Sequence, residues 1–172
     1  MQIKTAYEIT DADDQRGIRW TAKACSKLKQ QIVLRKIQVL SGEATATDGR
    51  RLHRYYLEEV IPDGIYSPVI IGKRQVWLFR EEKGPQFPHT ENLFIDKPLL
   101  KKNVMEINSA VAELVRLTPE GIGINIGYLS DILSCHILFE VWQVPESPEY
   151  GACGMFQFMS KGYQAILMPM KL

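Results

Sequence analysis

The order strand, helix, three strands is legible twice in this chain of 172 residues, over residues 1–60 and again over 121–172, and a repeat of that size restricts the fold more than any other feature. In the first copy Ile3, Thr5 and Tyr7 alternate with polar or small neighbours, as in a half-buried opening strand, and the acids at 11–14 mark a turn. A helix is predicted next. Ile18, Ala22, Cys25, Leu28 and Ile32 recur at the three-and-four spacing of one helical face, while Arg16, Arg19, Lys23 and Lys27 fall on roughly the opposite face. Residues 35–40, 43–47 and 51–59 then read as three strands, divided by turns at Ser41-Gly42 and Asp48-Gly49. The second copy places a strand at 121–126, a short helix at 128–133 and strands at 137–144, 155–159 and 163–168. A loop at 145–154 and a turn at Ser160-Lys161-Gly162 separate the last three.

The stretch between the copies is less regular. Residues 66–71 are rich in β-formers, residues 72–80 suit a short helix ending before Lys83-Gly84-Pro85, and 85–102 read as a connector. Val111, Leu114 and Val115 fit a helix over 107–117, yet the β-branched residues and the following Thr118-Pro119-Glu120-Gly121 fit a strand, and the pattern does not choose. The fold class is therefore α+β, with strands predominating.

Composition bounds the function. With 45% apolar and 24% charged residues the chain is ordinary for a folded domain, and no stretch approaches the ~18 apolar residues of a membrane span. The first residues lack the pattern of a leader, so a cytoplasmic setting is expected. Cys25, Cys135 and Cys153 are odd in number and widely spaced, which points to reduced, structural thiols rather than disulfides or zinc. The net charge of +1 conceals a strong local bias: residues 15–36 hold seven cations, Arg16, Arg19, Lys23, Lys27, Lys29, Arg35 and Lys36, and no acid. Exposed helices usually interleave signs for mutual support, so a run of seven cations without an acid is read either as a solvated cationic face or as a surface for an anionic partner.

Catalytic signatures are missing. His53, His89 and His136 are far apart in sequence and none has metal-ligand spacing; no nucleophile elbow or phosphate loop is present. Gly121-x-Gly123-x-x-x-Gly127 has the wrong spacing for a dinucleotide fingerprint. No catalytic residue, metal or cofactor is expected, and the protein is read as a non-enzyme.

Two strings carry a resemblance. Ala46-Thr47-Asp48-Gly49-Arg50-Arg51-Leu52 and the tail Met168-Pro169-Met170-Lys171-Leu172 occur in the order found in the bacterial DNA polymerase III beta subunit, the sliding clamp, and the chain resembles a shortened relative of that family. Residues 66–73, the Gln86-Phe87-Pro88-His89-Thr90 stretch, residues 123–133 and residues 164–172 extend the likeness; Arg50 stands where the family commonly has histidine. The resemblance implies a DNA-clamp-like fold of duplicated β-α-β-β-β halves, with helices on one face of antiparallel sheets. Residues 1–60 and 121–172 would then form one such domain around an intervening 61–120; the alternative is two compressed domains, 1–92 and 93–172.

What the resemblance implies about function follows. Thr47, Gly49, Arg50, Arg51, Leu52, Ile166, Met168, Pro169 and Met170 would form a pocket for linear peptide motifs of polymerases, clamp loaders or repair proteins. Residue chemistry agrees, since Leu and Met give a deformable apolar floor and glycine admits a ligand close to the backbone. Arg16, Arg19, Lys23 and Lys27 would contact duplex DNA without sequence preference. The expected role is a replication or repair processivity or recruitment factor, acting as a homo-oligomeric ring if copies close head to tail. The alternative is a monomeric peptide-binding adaptor or decoy of replication proteins that does not encircle DNA.

Overall fold

Asp11 starts the first helix. Its carboxylate accepts from the backbone N–H groups of Asp13 and Asp14 at 2.8 and 2.9 Å, which satisfies donors that a helix leaves open at its N-terminus. Asp13 and Asp14 complement the positive end of the helix dipole and Arg19 the negative end, so the acids expected to form a turn instead cap and open α1, Ala12–Ala22. The computed structural model describes residues 5–73, 75–82, 86–90, 93–94, 100–102, 114, 118, 122–135, 137–144 and 154–171. They belong to two units, Met1–Pro88 and His89–Leu172.

In the first unit β1 (Ala6–Glu8), β2 (Ile37–Leu40), β3 (Glu43–Thr47), β4 (Arg51–Tyr56), β5 (Gly64–Ile71) and β6 (Gln75–Arg80) form an antiparallel sheet ordered β1-β6-β5-β2-β3-β4. The β2–β3 turn uses Ser41 and Gly42 at φ 51° and 80°, the left-handed pair that a tight hairpin requires. α1 packs across β3 to β6, and Ile18, Ile37, Val39, Ala44, Ala46, Tyr66, Val76 and Leu78 close the core beneath it. Fully burying an isoleucine or leucine stabilises by roughly 1.5–3 kcal/mol, so a handful of such side chains dominates the favourable side of the balance.

Two further expectations fail in this unit. α1 stops at Ala22 rather than running through Ile32, so Leu28 and Ile32, expected to face inward, are 51% and 61% exposed. The cause is Ser26: its hydroxyl accepts from the N–H of Leu28 at 3.1 Å and bonds Gln31 Oε1 at 2.5 Å, while its own N–H donates to the Leu34 carbonyl at 2.7 Å. These bonds replace the helical ladder and turn the chain into a short 3₁₀ segment, Val33–Arg35. The helix expected at 72–80 is strand β6, paired with β5 from Ile71↔Gln75 to Tyr66↔Arg80. Val76 and Leu78 go inward while Trp77 and Phe79 stay half-buried, a period of two that outweighs helix propensity.

In the second unit β7 (Leu100–Lys102), β9 (Glu140–Val144), β10 (Met155–Ser160) and β11 (Tyr163–Leu167) form an antiparallel sheet ordered β11-β10-β9-β7, and β8 (Ile122–Gly123) pairs with β12 (Met170–Lys171). α2 (Ile126–Leu133) is capped by Asn125, whose Oδ1 accepts from the N–H of Tyr128 at 3.1 Å. Leu129, Ile132 and Leu133 are buried, as are Phe139 and Phe158, which meet edge to face at 6.2 Å. The strand-helix-three-strand order of each copy is present, as β1-α1-β2-β3-β4 and β8-α2-β9-β10-β11. Within 107–117 only Leu114 is described, helical and buried; the rest of that stretch, and 145–153, lie outside the described residues.

Candidate binding surfaces

The Thr47–Leu52 hairpin is built by its own side chains. Asp48 Oδ1 accepts from the N–H groups of Arg50 and Arg51 at 3.0 and 3.1 Å, Thr47 Oγ1 accepts from the Gly49 N–H at 3.0 Å and donates to the Arg51 carbonyl at 2.7 Å, and Gly49 sits at φ 87°. A side chain at 49 would strain this turn. Gly49 and Arg50 are exposed at its tip, whereas Thr47, Arg51 and Leu52 are buried at 7%, 4% and 2% exposure.

Arg51 is tied inward. Its Nε donates to Asp48 Oδ2 at 3.2 Å, and its terminal nitrogen donates to the Lys23 carbonyl at the end of α1. The charge is thus paired and also satisfies a carbonyl left open where the helix stops. His53 and Tyr55, the next alternate residues of β4, repeat the attachment. His53 Nδ1 lies 2.8 Å from the Trp20 carbonyl, which can only accept, so the ring proton is on Nδ1, and the imidazole stacks on the Trp20 indole at 4.2 Å. Tyr55 donates to the fully buried Asp14 carboxylate at 3.0 Å, which also accepts from the N–H groups of Glu58 and Glu59. Glu59 reciprocates, its carboxylate accepting from the N–H groups of Thr10, at 2.7 Å, and Asp11.

In the second unit Ile166 is buried at 3% exposure on β11, opposite Gln157, and Met168, Pro169 and Met170 are half-buried, with Met170 paired to Gly123. The apolar tail is accordingly part surface, part core.

The four expected DNA contacts do not form one helical stripe. Arg16 and Arg19 lie on α1, Lys23 is its C-cap, and Lys27 stands in the turn set by Ser26. Arg16 pairs with Asp13, both largely exposed, and Arg19 donates to the Gly72 and Gln75 carbonyls at 2.7 and 3.1 Å. That attachment draws in a further cation, Lys73, at the β5–β6 turn: among the described residues Ala12, Gln15, Arg16, Arg19 and Lys73 line an open hollow of about 400 Å³. The pairing of α1 with this turn is non-local, so no spacing in the sequence announces it.

Burial pushes the Cys25 thiol up from 9.0 to about 12, outweighing the neighbouring Arg51, so this thiol is inert at neutral pH. Among the described residues no three His, Cys, Asp or Glu side chains are grouped as metal ligands, and no helix is long and apolar enough to cross a membrane.

The antiparallel sheets and helices of the described residues form a DNA-clamp fold. Among solved structures it matches the beta subunit of DNA polymerase from Streptococcus pyogenes at a TM-score of 0.64 and 12% identity, over 100% of this chain and 67% of that one. It matches DNA polymerase III subunit beta from Borrelia burgdorferi at 0.66 and 12%, over 100% and 64%. The Helicobacter pylori beta clamp, solved bound to a DNA ligase peptide, matches at 0.63 and 9%, over 99% and 66%. The chain thus spans about two thirds of the length of the clamps it matches. No family model matches the sequence, and no curated protein does. The likeness is one of fold, spanning the whole of this chain.

Proposed function

We propose that this protein is a sliding-clamp-like, non-catalytic recruitment or processivity factor in DNA replication or repair, acting in the cytoplasm. The observation that carries the reading is that all of the chain superimposes on bacterial beta subunits despite 12% identity. The two β-α-β-β-β stretches, one in each unit, are read as the halves of a duplicated clamp-like domain.

Peptide binding is assigned to Thr47, Gly49, Arg50, Arg51 and Leu52 in the first unit and Ile166, Met168, Pro169 and Met170 in the second. Support comes from the self-organised turn, which exposes Gly49 and Arg50, and from the half-buried Met168 and Met170, whose flexible thioethers adapt to several apolar anchors. Arg50 then meets peptide carbonyls or carboxylates, and Arg51 holds the turn in place. Ordering a disordered peptide limits the affinity to the order of micromolar. The Helicobacter pylori clamp supplies the probe, a DNA ligase peptide. Saturable binding of such a peptide, weakened by Arg50→Ala and by Met168→Ala, is the expected result; full affinity in both variants would mean the site lies elsewhere.

Duplex DNA is the second partner, held without sequence preference through Arg16, Arg19, Lys23 and Lys27. Binding should fall steeply as salt rises. A salt-insensitive interaction, or none, would remove the DNA role. Light scattering decides the assembly: a closed ring of copies accompanies encirclement, and a monomer that still binds peptide is the adaptor.

A further inference from the structure

We propose that the hollow between α1 and the β5–β6 turn holds a phosphate group, gripped by Arg16, Arg19 and Lys73. The ligand in the cell, a phosphate of the duplex backbone, rests on the DNA reading above; the site itself rests on geometry within one unit. Among the described residues that line the hollow, Arg16, Arg19 and Lys73 are cations and none is an acid. Like charges converging on one space repel, and an anion between them reverses that repulsion.

Arg19 is pre-organised for the task. Its guanidinium carries five N–H donors in a rigid fork, and bonds to the Gly72 and Gln75 carbonyls hold that fork between the helix and the turn. Those same two carbonyls flank Lys73, so the contact that fixes Arg19 also fixes the turn presenting Lys73. Gly72, at φ 56°, permits the reversal. Arg16 reaches the hollow from one helical turn before Arg19 while pairing with Asp13. Both partners of that pair are mostly exposed, so it is weak enough to yield to a phosphate oxyanion that Arg19 and Lys73 also hold. Gln15, whose Nε2 donates to the Ile9 carbonyl at 2.9 Å, completes the wall as a neutral polar group.

The test uses the full chain and three probes: a random-sequence duplex, inorganic pyrophosphate, and salt. Lys73→Glu, at an exposed turn position, is compared with Lys161→Glu in the exposed β10–β11 turn. Lys73→Glu should weaken duplex binding by about tenfold and lower the slope of log K against log salt by about 1, with Lys161→Glu changing affinity less than half as much on a logarithmic scale. Duplex binding that survives Lys73→Glu intact, or falls equally in both variants, overturns the site while leaving the DNA reading in place. If the wild-type chain binds no duplex, the DNA reading fails and pyrophosphate decides. Saturable shifts of the Gly72, Lys73 and Gln75 amide resonances, lost in Lys73→Glu, retain the site for a free phosphate ligand; no shift overturns it.

Discussion

Gly17 of α1 lies so close to Tyr55 of β4 that a Cβ built on the glycine would fall 2.3 Å from the tyrosine ring. The helix therefore rests on the sheet at a separation that no other residue at 17 permits. Gly17→Ala should destabilise the fold by about 1–3 kcal/mol in urea denaturation, even though alanine favours an isolated helix by about 1 kcal/mol. An unchanged midpoint would mean that Tyr55 has another place to go.

Asp14 is the polar counterpart of that contact. Its buried carboxylate accepts from Tyr55 and from two backbone N–H groups, and asparagine would turn an amide N–H toward these donors. Asp14→Asn should lower stability by about 2–3 kcal/mol, and Tyr55→Phe by about 1 kcal/mol, measured by the same denaturation. Because Asp14 and Tyr55 share one network, the double variant should lose less than the sum.

Adjacent arginines should behave differently. Arg51→Ala takes the ionic partner from Asp48 Oδ2 and opens the end of α1, with an expected loss of about 3 kcal/mol of stability. Arg50→Ala, at the exposed tip, should change stability by less than about 0.5 kcal/mol and register only in peptide titration. Equal thermal shifts in the two variants would contradict this division of roles.

Alkaline pH should loosen the first unit. The folded chain keeps the Cys25 proton up to about pH 12, whereas the unfolded thiol releases it from 9.0, so stability is full below pH 9 and falls as pH rises through that window. Tyr56 and Tyr66, both raised above 10.0 chiefly by burial, act in the same direction at the upper end. Denaturation between pH 8 and 11 should show this decline, with a shallower slope in Cys25→Ala. Iodoacetamide at pH 8 should label Cys25 far more slowly in the folded chain than after denaturation.

The hairpins were legible because their turns are chemically explicit: Ser41-Gly42 and Asp48-Gly49 admit positive φ and side-chain-to-backbone bonds. The end of α1 was not. Cys25, Leu28 and Ile32 continue the apolar spacing, and only the choice of Ser26 hydroxyl over helical carbonyl, made in tertiary context, breaks it. In β6 the alternation of Val76 and Leu78 with Trp77 and Phe79 is present in the sequence, but a run that stops before Lys83-Gly84-Pro85 suits a short helix equally well. Arg16 and Arg19 were identifiable as neighbours on one helix; Lys73 was beyond reach because a contact across more than fifty residues joins it to them. His53 and Tyr55 gave no sign that they would anchor β4 to α1, since burial of a polar group depends on a partner elsewhere in the chain.

The alternation along β4 separates what can be redesigned from what cannot. Positions 51, 53 and 55 rivet the strand to α1, while 49 and 50 protrude from a turn whose shape Thr47 and Asp48 dictate. A combinatorial library confined to position 50, with glycine retained at 49, would leave every rivet in place, which makes the tip a graftable address on an otherwise fixed frame.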